Sequence, residues 1–431
     1  MTEDGLLIDG DPSKVFEMDF SIGEGTYGEV FRAVIKETGT ECAIKVTEKG
    51  SDEDMVDLEQ EILILRSCEH FSIVGYLGSW YHARHNRIWL ALEYCALGSV
   101  SDVMFVGDAR FSETEIKTIT AAMLLGLDYL HEKGVIHRDM KAANILLSET
   151  GSIKIADFGV AAVLTPSRPK RRTAIGAPYW MAPEVISEND YGVKCDVWSL
   201  GITCYELAET NPPHSEVHPM RALFMIPFQP SPTLPKGKLW SNHFHDFLAK
   251  CVNKNPDLRP ECSELMTHPF VKDAIMDLRI GVGRSKVLEK IVNRAYPIIK
   301  EFRMEEPTIS SPSTAARDSR ILSTRIKSAA RVPSSMFDDN RPISNVYNGK
   351  ADQNLLSVRV RADAIESIRI GEATQSSRDI LLKAQSTKSI AVNDFMALLG
   401  QKPLSEEERI ASEKIAKRIT KNFIKQLDNL I

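Results

Sequence analysis

The sequence predicts an α+β fold of two unequal lobes, a small β-rich one followed by a large helical one. Three observations carry that expectation. Residues 16–95 alternate apolar and polar side chains, the period of half-buried strands, with one helical pattern at about 53–66. Residues 96–270 are dominated by long helical periodicities and end at His268-Pro269-Phe270. From about residue 306 the chain turns to Ser, Thr, Arg and Asp with no sustained period, and helical patterning returns only near its end. At 431 residues there is room for two or three domains, and a hydrophobic content of 43% is ample for a large core.

The elements follow in order. Residues 1–15 read as a short polar lead. Residues 20–22 and 30–34 read as strands around Ile22-Gly23-Glu24-Gly25-Thr26-Tyr27-Gly28-Glu29-Val30, a G-x-G-x-x-G-x-V pattern. In a dinucleotide-binding unit a helix would follow these glycines, so the strand–loop–strand setting disfavours that reading. Glycine at 23, 25 and 28 lets a hairpin backbone approach phosphate groups with no Cβ in the way. Cys42-Ala43-Ile44-Lys45 is a further strand. The helix at 53–66 carries apolar residues at 58, 62 and 65, with two acids, Glu59 and Glu61, beside them. Leu90-Ala91-Leu92-Glu93-Tyr94-Cys95 reads as the last strand of the small lobe and the hinge to the large one.

Chemistry concentrates in His137-Arg138-Asp139-Met140-Lys141-Ala142-Ala143-Asn144, followed by Asp157-Phe158-Gly159. The spacing suits phosphoryl transfer. Asp139 can accept the proton of an attacking hydroxyl, and Lys141 can neutralise charge on a γ-phosphate. Asn144 and Asp157 offer oxygen ligands to Mg²⁺, a hard cation that prefers oxygen. Each fragment alone is weak; the ordered set is what carries weight.

That ordered set resembles the eukaryotic protein kinases, and the resemblance implies a two-lobed protein kinase fold over residues 16–270. Cys42-Ala43-Ile44-Lys45 is similar to the family's V-A-I-K strand, which assigns Lys45 to the α- and β-phosphates of ATP. Its expected partner is Glu61, whose acid-then-apolar context fits the family pattern better than that of Glu59. The resemblance also implies that Ile22, Gly23, Gly25, Gly28, Val30 and Ala43 surround the nucleotide. Leu92 would then face the adenine, with the backbone of Glu93 and Cys95 hydrogen-bonding its edge. Ala182-Pro183-Glu184 closes the segment opened at Asp157, and Arg259 is the expected ion-pair partner of Glu184. Asp196-Val197-Trp198-Ser199-Leu200-Gly201 resembles the helix that anchors the catalytic loop from below.

Gly98-Ser99-Val100-Ser101-Asp102, Trp180-Met181-Ala182-Pro183-Glu184-Val185-Ile186 and His218-Pro219-Met220-Arg221-Ala222-Leu223-Phe224-Met225-Ile226-Pro227 are similar to the sterile-twenty kinases of the germinal-centre group, above all its Hippo-like subgroup. The implied activity is serine/threonine phosphorylation of downstream kinases or adaptors, with ATP and Mg²⁺. Thr173 in Lys170-Arg171-Arg172-Thr173 matches the activating threonine, and Arg138 is a ready partner for its phosphate. The pattern departs at Gly176-Ala177-Pro178, where the family carries threonine. That hydroxyl bonds the catalytic acid and the lysine, and Ala177 cannot. Loss of one such bond costs about 1–3 kcal/mol, roughly ten- to hundredfold in rate. A weakly active or inactive kinase serving as a dimerising scaffold is the second expectation.

Residues 271–305 remain helix-prone, whereas 306–390 read as a disordered linker too poor in apolar residues to offset ordering entropy. Within 391–431, residues 393–400 form a short helical pattern closed by Gly400. Ser405 with Glu408 gives a capping box for a second. Ile415, Ile419, Phe423, Leu427 and Ile431 then recur at four-residue steps. Such a stripe needs a partner, and its patterning resembles the SARAH coiled-coil helices by which Hippo-like kinases form homodimers or heterodimers.

The net charge of −6 gives no reason to expect a nucleic-acid partner. The seven cysteines contain no C-x-x-C and read as buried thiols. The acidic N-terminus lacks a signal pattern, and no apolar run approaches about 18–20 residues. A cytoplasmic protein without a membrane segment is expected.

Overall fold

The computed structural model describes residues 5–304 apart from 26–27, 51, 107–109, 165–175, 188, 236 and 238. Thr173, the 306–390 linker and the helices expected within 391–431 lie outside the described residues, as do Thr26 and Tyr27. The small lobe contains β1 (Ile8–Asp9), β2 (Phe16–Gly25), β3 (Gly28–Ile35), β4 (Glu41–Glu48), α1 (Asp52–Ser67), β5 (Tyr76–His82) and β6 (Arg87–Glu93). The large lobe opens with α2 (Val100–Phe105) and α3 (Glu113–Glu132), then four short strands, β7 (Val135–Ile136), β8 (Ile145–Leu147), β9 (Ile153–Ile155) and β10 (Ala162–Val163). It continues with α4 (Pro183–Ile186), α5 (Lys194–Glu209), α6 (Pro219–Met225), α7 (Asn242–Cys251), α8 (Cys262–Leu265), α9 (Lys272–Ile280) and α10 (Lys286–Met304).

One sheet, ordered β1-β5-β6-β4-β3-β2, builds the small lobe. Its two-residue alternation assigns the faces. Val30 pairs with Lys45, and Ala43 with Leu92, so these four share one face. Cys42, Ile44, Ala33 and Ala91 take the other, packed with Phe16, Trp80 and Trp89 in a separate small core. On α1, Leu58, Ile62 and Leu65 are buried at helical spacing, and Glu61 projects between them.

The start of the chain corrects the reading of residues 1–15 as a polar lead. Two of its residues add a strand to the sheet: Ile8 and Asp9 pair in parallel with Trp80 and Tyr81. The Ser79 hydroxyl donates to the Leu6 carbonyl at 2.6 Å, and the Leu6 side chain is buried. Two leucines and an isoleucine beside a glycine give too short an alternation to be read as a strand; the open edge of β5 supplies what local propensity lacks.

The large lobe is organised by α3 and α5, both buried on most sides. Ser112 caps α3 through a reciprocal box in which its hydroxyl accepts from Glu115 N–H and the Glu115 side chain accepts from Ser112 N–H. Phe244 stacks on Phe270 with centroids 4.5 Å apart, and Phe247 tilts against the same ring at 5.2 Å. No helix among the described residues is long and apolar enough to cross a membrane.

Candidate functional site

The start of the loop between β7 and β8 is held by a carboxylate of α5. Asp196 on α5 accepts from the backbone N–H of His137 at 2.9 Å and of Arg138 at 2.8 Å, and meets His131 Nε2 at 2.9 Å. Arg138 has φ 69°, a conformation that non-glycine residues adopt only where the surroundings compel it. The two bonds to Asp196 supply that compulsion. Burial opposes the negative charge of Asp196, but its bond to His131 and the neighbouring positive charge outweigh it and hold the pKa below the ordinary carboxylate value. His131 is pushed up to about 10, because Cys262 and Asp196 on its two sides overcome the cost of burying an imidazolium.

Above that anchor, Asp139 is 6% exposed yet fully partnered. Lys141 Nζ lies 2.9 Å from Oδ2, Asn144 Nδ2 donates to the same oxygen at 2.8 Å, and Ala177 N–H donates to Oδ1 at 3.0 Å. Burial raises the cost of charge at Asp139, but Lys141 and these hydrogen bonds more than offset it, so the carboxyl stays ionised. The Lys141 ammonium is in turn stabilised by Asp139 against its own burial. Ala177 lacks the hydroxyl of the resembling pattern, but its main chain still ties this segment to Asp139.

Lys45 and Glu61 meet as expected from opposite elements, β4 and α1. Lys45 Nζ donates to Glu61 Oε1 at 2.8 Å and Oε2 at 3.1 Å, and Glu59 makes no such contact. Burial pushes the Glu61 carboxyl up; Lys45 opposes this. Asp157 Oδ1 lies 3.9 Å from Lys45 Nζ, and Asp157 is held at φ 64° with its side chain 38% exposed. Next to it Phe158 is buried edge-on against His137 at 5.1 Å. Lys45, Glu61 and Asp157 therefore form one group, and Asp139, Lys141 and Asn144 a second, close enough for the Asp157 charge to stabilise the Lys141 ammonium.

The glycine-rich hairpin joins β2 to β3 at the end of the sheet. Gly23 stands opposite Val30 and Gly25 opposite Gly28, with a register shift between Ser21 and Gly23. Gly28 has φ 151°, and a Cβ there would lie 2.0 Å from the Val46 carbonyl oxygen. Ile22, Val30 and Ala43 are half-buried beneath it. At the hinge the Glu93 side chain accepts from Gly75 N–H at 3.0 Å and from Lys154 at 2.8 Å. Glu93 N–H is itself committed to the Gly75 carbonyl, which leaves Glu93 only its carbonyl toward the cleft. The backbone N–H of Cys95 makes no hydrogen bond among the described residues.

Arg138 departs from the reading that it stands ready for a phosphate. Its guanidinium is already engaged: Nε donates to the Val160 carbonyl at 2.5 Å, Nη2 to the Ala161 carbonyl at 3.1 Å and Nη1 to the Tyr191 hydroxyl at 3.3 Å. Gln60, beside Glu61, donates to the same Ala161 carbonyl at 2.8 Å. The start of the segment after Asp157 thus joins α1 to the loop of Asp139.

Sequence reasoning passed over Glu206. One oxygen of this buried α5 carboxylate accepts from Ala142 N–H at 3.0 Å and from Trp180 Nε1 at 2.9 Å. Burial lifts its pKa to about 7, against these two bonds and the Lys141 charge. The available signal was a charged residue within the otherwise uncharged 197–207 stretch of a helix. Downstream, Arg259 pairs bidentately with Glu184 at 2.7 and 3.1 Å and lies over the Trp198 ring at 5.4 Å.

The donor set accords with a hard cation and a polyphosphate. Asn144 uses its amide nitrogen on Asp139, which leaves the amide oxygen as its acceptor, and Asp157 is the nearest exposed carboxylate. Magnesium is held by few protein oxygens together with phosphates and water, and at Gly23 nothing lies within 4 Å of where a Cβ would stand, the open approach that a phosphate chain needs. A family model described as protein kinase domain matches residues 16–271.

Proposed function

Because the chain belongs to the protein kinase family, we propose that it transfers the γ-phosphate of ATP to serine or threonine hydroxyls of protein substrates. The observation that carries this reading is the buried Asp139 carboxylate, held by Lys141, Asn144 and Ala177, together with the Lys45–Glu61 pair. Asp139 orients the substrate hydroxyl and takes its proton as the oxygen attacks phosphorus, while Lys141 balances charge on the transferred group. Lys45, positioned by Glu61, holds the α- and β-phosphates. Ile22, Gly23, Gly25, Gly28, Val30 and Ala43 enclose the nucleotide, and the Glu93 carbonyl with the Cys95 N–H receives the adenine edge. Asn144 and Asp157 would hold Mg²⁺, which supplies neutralisation of phosphate charge when bound. A lysine two residues after the acid fits a hydroxyl amino acid on an aliphatic stem better than tyrosine.

Regulation at Thr173 belongs to the same reading. A phosphate there adds about −1.5 to −2 charges, and it would have to draw Arg138 from the Val160 and Ala161 carbonyls or share it with them. Residues 391–431 are proposed as a SARAH-like pairing segment of a cytoplasmic, Hippo-like kinase that acts on downstream kinases or adaptors. Pairing raises the local concentration of one catalytic domain beside another and favours phosphorylation in trans.

Incubating the full chain with Mg²⁺ and labelled ATP, beside a variant lacking residues 393–431, tests both levels. Label on Thr173 and on serine or threonine of an added basic protein is expected. At nanomolar enzyme the truncated chain should carry less label on Thr173. Label on tyrosine alone would overturn the serine/threonine assignment, and undiminished Thr173 labelling would overturn pairing. Ala177 favours a damped enzyme as a second reading, for which Ala177→Thr should raise kcat about tenfold.

A further inference from the structure

Helix α10 lies beyond residue 271, where the family match ends, and its last turn reaches the hinge. Its inner face buries Leu288, Ile291, Ala295 and Ile299 against the large-lobe core. Arg294 pairs with Glu115 of α3 at 3.0 Å, and Arg284, just before the helix, bridges Ser152. These contacts fix the helix along the lobe and aim its C-terminal end at residues 94–98.

There Arg303 Nη1 donates to the Ala96 carbonyl at 2.5 Å and to the Tyr94 hydroxyl at 3.2 Å. The guanidinium also lies close to Gly98, where a Cβ would stand 2.8 Å from Arg303 Nη2. The two acceptors flank Cys95, the residue whose unused N–H faces the adenine in the reading above. Both bonds leave one nitrogen, Nη1, whose two N–H groups lie in the guanidinium plane and so point at the two acceptors in a fixed mutual geometry.

We propose that Arg303 is a positioning residue for the nucleotide site: α10 acts as a strap, and Arg303 clamps the hinge on both sides of Cys95. The proposal rests on the ATP-site reading. It goes beyond that reading in placing a determinant of ATP affinity outside the matched domain, immediately before the segment that runs on to the C-terminal end. A hinge freed from the clamp samples more backbone conformations, so ATP must select the competent one, which weakens apparent affinity without touching the chemical step.

The test uses the full chain and measures kcat and KM for ATP, with Mg²⁺-ATP binding followed by calorimetry. Arg303→Ala is expected to raise KM and Kd about three- to tenfold while kcat stays within twofold. Arg303→Lys, which keeps the charge but loses the planar donor, should recover part of the loss. Tyr94→Phe, which removes one acceptor without altering α10, should show a smaller rise of the same sign. Arg294→Ala, which loosens the same helix away from the hinge, should lower Tm and leave KM within twofold. An unchanged KM in Arg303→Ala overturns the clamp. An equal rise in Arg294→Ala also overturns it, because the effect would then be general docking of the helix. Failure of the unmodified chain to bind ATP defeats the nucleotide-site reading, and the proposal with it.

Discussion

Asp139 and Glu206 are both buried carboxyls on the same loop–helix junction, and their surroundings send them in opposite directions. The Asp139 carboxylate has an ammonium at 2.9 Å and two further hydrogen-bond donors, Asn144 Nδ2 and Ala177 N–H, which together outweigh burial. Glu206 has two neutral donors on one oxygen, and burial prevails. The linkage sign follows directly. The folded protein binds the Glu206 proton more tightly than the unfolded chain, so the stability this confers is present below the ordinary pKa of 4.5 and lost as pH rises through about 7. Glu206→Gln, neutral at every pH, should gain on the parent by about 3 kcal/mol between pH 4.5 and 8. Urea unfolding of both proteins at pH 5 and pH 8 measures this, and a gap that does not widen would contradict the assignment. At this scale Asp139, Lys141, Asn144, Asp157 and Lys45 were legible because their spacing is local and their residue types are chemically restricted. Glu206 and the prior engagement of Arg138 were not, since both depend on partners about 20 to 64 residues away that no local pattern identifies.

At the scale of elements, two-residue alternation sorts β3, β4 and β6 into a cleft face and a core face, so the strands were legible with their side-chain directions. The helix at 53–66 emerges as α1, with Leu58, Ile62 and Leu65 inward as their spacing required. The glycine-rich hairpin has a stricter requirement that composition alone does not convey. Its Gly28 approaches Val46 so closely that any Cβ displaces backbone. Gly28→Ala should therefore cost about 1–3 kcal/mol of stability and reduce the rise in Tm produced by Mg²⁺-ATP. An alanine variant with unchanged Tm and an unchanged ATP response would show that the hairpin relaxes freely. The edge strand β1 escaped sequence reading for the converse reason. It exists because β5 presents an unpaired edge, and its own residues specify little.

For the molecule as a whole, the large lobe is tied together by interactions that span great lengths of chain. Arg259 is fully buried, donates twice to Glu184, and also reaches the Lys194 and Asn253 carbonyls. Removing one member of such a pair strands the other charge in the interior. Arg259→Ala should cost about 3–5 kcal/mol, about 6–20 °C in Tm for a domain of this size. Scanning calorimetry supplies the number, and a change under 2 °C would show the pair to be dispensable. Two-lobed α+β architecture was legible from periodicity because each lobe has its own hydrophobic rhythm. The docking of α10 across the hinge was not, because an amphipathic helix declares that it packs without declaring where.

The central claim is that Asp139 acts on the substrate hydroxyl and takes no part in holding ATP. Measuring Mg²⁺-ATP affinity and phosphoryl transfer side by side for the unmodified chain and Asp139→Asn tests it most directly. The expected result is an affinity within twofold and a kcat lower by about 10²–10⁴-fold. Transfer retained in Asp139→Asn, with ATP still bound, would contradict the account.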